Sequence, residues 1–177
     1  WNNSDGIVNF TATDGLAGGA RVTRPTDVTN EGKGQNIGGE AVDLAGNRAT
    51  AYAVVNLDKT PPLITPAATP QPNSYGWNNT DVSVSFVATD SLSGIATVTN
   101  PATVTTEGKG QVIGGEAIDL AGNRATTSVA LNIDKTPPQL NIAADPSLLW
   151  PPDHKIVNVS INGQATDALA GIAETIF

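Results

Sequence analysis

The chain contains no cysteine. Disulfides and thiolate metal sites are therefore excluded, and with them the disulfide-stapled scaffold common among small secreted domains, although the compartment stays open. Histidine occurs once, at His154. It sits between Asp153 and Lys155 after two prolines and reads as a solvated turn residue, with no nucleophile-elbow motif to recruit it. Positive charge is scarce: Lys and Arg total 9 against 17 Asp and Glu, for a net charge of −8. That balance argues against nucleic acid, whose phosphates need a basic face. It suits a soluble acidic surface and is compatible with divalent cations. No apolar run approaches the length of a membrane span. No signal peptide is present, which says little about secretion for a segment that starts inside a repeat. No stretch longer than a turn has helical periodicity.

What the chain does have is repetition. Trp1 and Trp77 each open a Trp-Asn-Asn, and Glu31 and Glu107 each open a Glu-Gly-Lys-Gly-Gln. Asp43 and Asp119 each open an Asp-Leu-Ala-Gly-Asn-Arg-Ala-Thr, and Asp58 and Asp134 each open an Asp-Lys-Thr-Pro-Pro. Every pair is 76 residues apart, so no insertion or deletion separates the copies. A fixed period of this size predicts an array of small domains, each large enough for a modest core of its own.

Within a repeat the pattern is that of strands. Val82, Val84, Phe86 and Ala88 alternate with Ser83, Ser85 and Thr89, the period of two of a half-buried strand. Val8, Phe10 and Ala12 read the same way. A strand over 111–119 places Ile113, Gly115 and Ala117 on one face, and one over 124–133 places Val129, Leu131 and Ile133 on one face. Asp119-Leu120-Ala121-Gly122-Asn123 between them reads as a tight turn with Gly at the position that tolerates positive φ, which makes a hairpin. Gly115 on the inward face leaves room for a large neighbour such as a Trp. Leu63 to Pro66 supplies a first strand, and 156–167 alternates again through Val157, Val159, Ile161, Gly163 and Ala165. The prolines of Asp-Lys-Thr-Pro-Pro end one unit and stiffen the start of the next. The fold class is all-β: tandem immunoglobulin-type β-sandwiches of about seven strands joined by Pro-Pro linkers and incomplete at both ends. The expected domains are 1–60, a repeat lacking its first strand; 61–136, a complete repeat; and 137–177, the start of a third, divergent module.

These motifs resemble the bacterial immunoglobulin-like repeats of large secreted and surface proteins: Trp-Asn-Asn, an alternating strand ending Ala-Thr-Asp, then Leu-x-Gly, Glu-Gly-Lys-Gly-Gln, Asp-Leu-Ala-Gly-Asn and Asn-x-Asp-Lys-Thr-Pro-Pro. The resemblance covers nearly the whole chain and implies adhesin stalks or appendages of extracellular enzymes. It is specific for fold and setting and weak for activity.

In that topology a cation site is expected at each joint. Asp90 and Asp119 continue the inward parity of their strands and end at the same pole. The linker from the preceding unit brings Asp58, and Glu31 lies close enough to add a ligand. Glu107, Asp134 and Asp167 form the corresponding set at the second joint. Convergent oxygen ligands suit Ca²⁺, which takes 6–8 of them. The competing reading has Asp90 and Asp119 capping turns through backbone N–H groups, with Arg124, Lys59 and Lys33 neutralising the rest. No Asp-x-Asp-x-Asp loop decides between the two.

Trp1, Trp77 and Trp150 suit packing over the end of a core, with sugar stacking as the other role. Asn2, Asn9, Asn78 and Asn158 head Asn-x-Ser/Thr triplets, which matter only in a host that glycosylates them. The expected function is non-enzymatic: a structural and interaction segment of an extracellular, cell-surface protein, serving as adhesin stalk, spacer or fibre. Its expected partners are neighbouring repeats of the same chain, other copies of the chain, or a cell-surface polysaccharide. The alternative is a carbohydrate-binding or accessory module of a secreted hydrolase.

Overall fold

The computed structural model describes residues 1–16, 21–145, 147 and 156–174. Among these, every regular element is a β-strand. The first repeat carries β1 (Gly6–Val8), β2 (Arg21–Val22), β3 (Thr26–Val28), β4 (Gly32–Val42) and β5 (Arg48–Leu57). The second carries β6 (Leu63–Thr69), β7 (Val82–Thr89), β8 (Ile95–Val98), β9 (Ala102–Val104), β10 (Gly108–Asp119) and β11 (Arg124–Ile133). Two strands follow, β12 (Gln139–Asp145) and β13 (Ser160–Thr166).

Contacts divide the chain into two compact units. One comprises 1–67, 85–101 and 114–129, and the other 68–84, 102–113 and 130–177. This division runs through β6, β7, β10 and β11 and does not follow the 76-residue period. The repeat boundaries therefore remain a reading of the sequence.

In the first unit, β4 and β5 form a long antiparallel hairpin from Gly32↔Leu57 to Val42↔Arg48, and β2 extends it along Arg21↔Val42. Strand β1 pairs with β3. The end of β10 pairs with β8 through Ala117↔Val98. Phe86 lies against Gly115, and Phe10 lies against Gly39 in the same way, so that a Cβ at either glycine would overlap the ring. The residue that Gly115 accommodates is thus a phenylalanine and not a tryptophan. In the second unit, β7 pairs with β9 from Val82↔Val104 to Val84↔Ala102, and Asn78 bridges to Ile133. Strands β12 and β13 pair over their full length, from Gln139↔Thr166 to Asp145↔Ser160.

The alternation in β7 translates directly into burial. Val82 and Val84 are fully buried and Phe86 nearly so, while Ser83 and Val87 are exposed. Ala117 on β10 and Leu131 and Ile133 on β11 are buried as well. The second repeat contributes six strands, in the sheet orders β6-β7-β9 and β11-β10-β8, where seven were expected.

Two expected strands are shorter than their patterns. β1 stops at Val8 although the alternation runs on through Phe10 and Ala12. Its counterpart β7 is flanked on both sides, whereas among the described residues β1 has only the three-residue β3 to bond to. β13 starts at Ser160, not near 156. Backbone groups with no ladder partner gain nothing from an extended conformation.

Candidate metal centre

The sharp feature of the first unit is a cluster of three aspartates. Asp58, Asp90 and Asp119 each offer a carboxylate oxygen, and these oxygens lie within 4.8 Å of one another. Asp58 is 0% exposed and Asp119 1%.

Each side chain is set by its local backbone. Asp58 follows β5 in a stretch pinned by Asn2, whose N–H donates to Asn56 O and whose carbonyl accepts from the Asp58 N–H, both at 2.9 Å. Its Oδ1 accepts from Thr60 N–H at 3.1 Å and its Oδ2 from Ser93 N–H at 2.9 Å. Asp90 follows β7, and its Oδ1 accepts from Leu92 N–H, Gly94 N–H and the Ser93 hydroxyl. Asp119 ends β10, and its Oδ1 accepts from Ala121 N–H and Asn123 N–H, both at 2.8 Å. Gly122, at φ 95°, lets the chain make this turn. Asn123 then closes the assembly: its amide Nδ2 donates to Asp119 Oδ2 at 2.7 Å and to the Asp58 carbonyl at 2.8 Å.

The carboxylates therefore cap turns and converge at once. Two of the cations expected to neutralise them are engaged elsewhere. Arg124 pairs with Glu116 at 2.9 Å, and Lys59 pairs with Asp5 at 2.6 Å and donates to Thr29 O. Two like charges about 5 Å apart repel by roughly 3 kcal/mol at an effective dielectric of about 20. Among the described residues this repulsion is offset only by N–H and O–H dipoles. For Asp90, burial pushes the carboxyl pKa up, but the hydrogen bonds from Gly94, Leu92 and Ser93 together outweigh it and hold the group below its ordinary value.

The donor set is all hard oxygen. It fits Ca²⁺ or Mg²⁺ and does not suit soft metals. The hydrogen bonds to the Asp90 carboxylate from Leu92, Ser93 and Gly94 all go to Oδ1. Three carboxylates supply part of a calcium shell, and backbone carbonyls or water would have to complete it.

The other predicted ligands fall into two groups. Asp134 and Asp167 repeat the first two positions: Asp134 Oδ2 accepts from Ala170 N–H at 2.8 Å, and Asp167 Oδ1 accepts from Leu169 and Gly171 N–H. Asp167 is held below its ordinary pKa, first by the Gly171 hydrogen bond, which with those from Leu169, Asp134 and Ala170 outweighs desolvation. Glu31 and Glu107 do not join the clusters. Glu31 accepts from the Lys59 N–H at 2.5 Å and from the Thr60 hydroxyl, and Glu107 does the same for Lys135 and Thr136. With Lys59 on Asp5 and Lys135 on Asp81, each Asp-Lys-Thr-Pro-Pro is clamped to the repeat it leaves.

No protein-family model, curated protein or solved structure matches this chain.

Two residues of the site were missed from sequence: Asn123 and Ser93. The signal for Asn123 was present, because it closes the repeated Asp-Leu-Ala-Gly-Asn. Ser93 contributes chiefly its N–H, and a backbone donor leaves no mark in residue type. Trp150 and His154 lie outside the described residues. Asn78, which heads one of the glycosylation triplets, is buried with its amide donating to Pro70 O, so that side chain is consumed by structure.

Proposed function

We propose that this chain is a spacer or stalk segment of an extracellular surface protein, built from tandem immunoglobulin-like repeats whose joints are held by their aspartates and, at Asp58, Asp90 and Asp119, by calcium. It acts mechanically and carries no catalytic step. The observation that carries the reading is the convergence of an aspartate from the closing segment of one repeat with two aspartates from the strand ends of the next. A chain that only needed two independent domains would have no use for that arrangement. The duplicated clamp supports the same reading: Lys59 and Glu31, then Lys135 and Glu107, keep all their partners across the period. Prolines 61, 62, 137 and 138 add stiffness without any ligand.

The test is thermal unfolding in EGTA and across a calcium series, with magnesium as control. A ligand that binds only the native state raises Tm. The reading expects a saturable rise with calcium that Asp119→Asn abolishes. A melt unchanged by calcium would leave the aspartates as turn caps and remove the cation from the function.

A further inference from the structure

The last strand of each repeat lies at the edge of its sheet, β5 in the order β2-β4-β5 and β11 in the order β11-β10-β8. In the second repeat the first strand does not close that edge. Strand β6 sits in the sheet with β7, and Asn78 reaches β11 only at Ile133. The open edge therefore belongs to the repeat itself.

The backbone of β5 shows which groups are left open. The Asn56 carbonyl accepts from Asn2 N–H, outside the β4–β5 ladder. The N–H and C=O of one strand residue point to the same side, and that side alternates along the strand. Arg48, Thr50, Tyr52 and Val54 thus turn both groups away from β4, and among the described residues nothing bonds them. Long edges are ordinarily guarded by lysine, proline, a bulge or an inward charge. β5 reads Arg-Ala-Thr-Ala-Tyr-Ala-Val-Val-Asn-Leu, and its register runs unbroken from Gln35↔Val55 to Val42↔Arg48. Its one charge, Arg48, stands at the start and pairs with Glu40. Tyr52 and Val54 are 67% and 70% exposed. The Tyr52 ring lies across Gly38 of β4, clear of the edge.

We infer that this edge is an interaction surface for a second copy of the chain, joined by antiparallel pairing of β5 with β5. The occupant is argued from the strand's self-complementarity. With Ala51 of both copies on the two-fold axis, Arg48 stands opposite Val54 and Thr50 opposite Tyr52, twice over. Every outward N–H and C=O of those residues then has a partner, for about eight hydrogen bonds. No like charges face each other, and the two tyrosines become diagonal neighbours within reach of contact. The other face brings only alanines together, Ala49 against Ala53 and Ala51 against Ala51. Strand β11 is a poorer copy, with Ser128 and Ala130 where β5 has Tyr52 and Val54. The pairing uses the sheet of one repeat and is independent of the aspartate cluster and its cation.

The chain has no cysteine, so single cysteines in the full chain report the pairing. Opposed residues at a non-hydrogen-bonded position have Cα atoms about 4.5 Å apart, within disulfide range. Ala51→Cys should cross-link two copies under mild oxidation at least about tenfold faster than Ala49→Cys, or than Thr127→Cys at the matching place on β11. Sedimentation up to about 1 mM, the effective concentration that short tethers supply, should show a monomer–dimer equilibrium, the same in EGTA and in calcium. Val54→Lys sets a like charge against Arg48 of the second copy, and Val54→Glu an opposite one. The dimer of the first should dissociate about tenfold more readily than that of the second, while hydrogen exchange in dilute samples shows both variants folded. A chain monomeric at the highest concentration overturns the inference. So does cross-linking of Thr127→Cys as fast as Ala51→Cys, or equal dimerisation of the two Val54 variants.

Discussion

Replacing Asn123 by alanine separates a turn cap from a joint. Its amide makes a charge-assisted bond to Asp119 Oδ2 and a neutral one to the Asp58 carbonyl. Bonds of the first kind are worth about 1.5–3 kcal/mol and of the second about 1. Discounted for partial exposure, Asn123→Ala should cost about 2–3 kcal/mol. Asn47→Ala removes only the bond to Asp43, at an exposed position, and should cost about 1 kcal/mol. Several units in one chain do not unfold as one two-state system, so the assay is residue-resolved hydrogen exchange in EGTA. Asn123→Ala should speed exchange of the most protected β10 and β11 amides by about 30- to 150-fold, and Asn47→Ala that of β4 and β5 by about fivefold. Equal effects of the two variants would refute the reasoning, because the bond to Asp58 would then add nothing to the turn cap.

Other outcomes follow from the same geometry. Gly115→Ala sets a Cβ into the Phe86 ring and should cost about 1–3 kcal/mol by denaturation, with Phe86→Leu in the same chain recovering part of it. Asp90 and Asp167 have folded pKa values lowered from 3.8, so their contribution is complete above about pH 5 and disappears as pH falls through the folded values. Asp90→Asn should therefore flatten the acid limb of a stability–pH profile, and an unaltered limb would contradict the hydrogen-bond assignment. Glu31→Gln keeps shape but weakens the clamp on Lys59 and Thr60. Amide exchange at Lys59 should quicken while the β7 core is unchanged.

Much of the fold was legible because burial in a sandwich leaves a period of two. Val82, Val84 and Phe86 alternate with serines, and the core follows them. The Asp119 turn was legible from Asp at its start and Gly122 at the positive-φ position. The convergence of Asp90 and Asp119 was legible from strand parity, and that of Asp58 from the linker that carries it. What parity cannot report is the direction of a long side chain in a loop. Glu31 and Glu107 reach the linker amides, and Arg124 and Lys59 reach other acids, by rotamer choices that sequence spacing does not limit. Strand length was misread at β1 for a different reason. Alternation records which face is buried, but a strand needs a partner, and the described partner of β1 is three residues long.

The most direct measurement is a crystal structure of the chain grown in calcium. An ion within about 2.3–2.6 Å of an oxygen from each of Asp58, Asp90 and Asp119, lost on soaking with EGTA, is the predicted result. The three carboxylates in their present places with only water among them, at saturating calcium, would contradict the account.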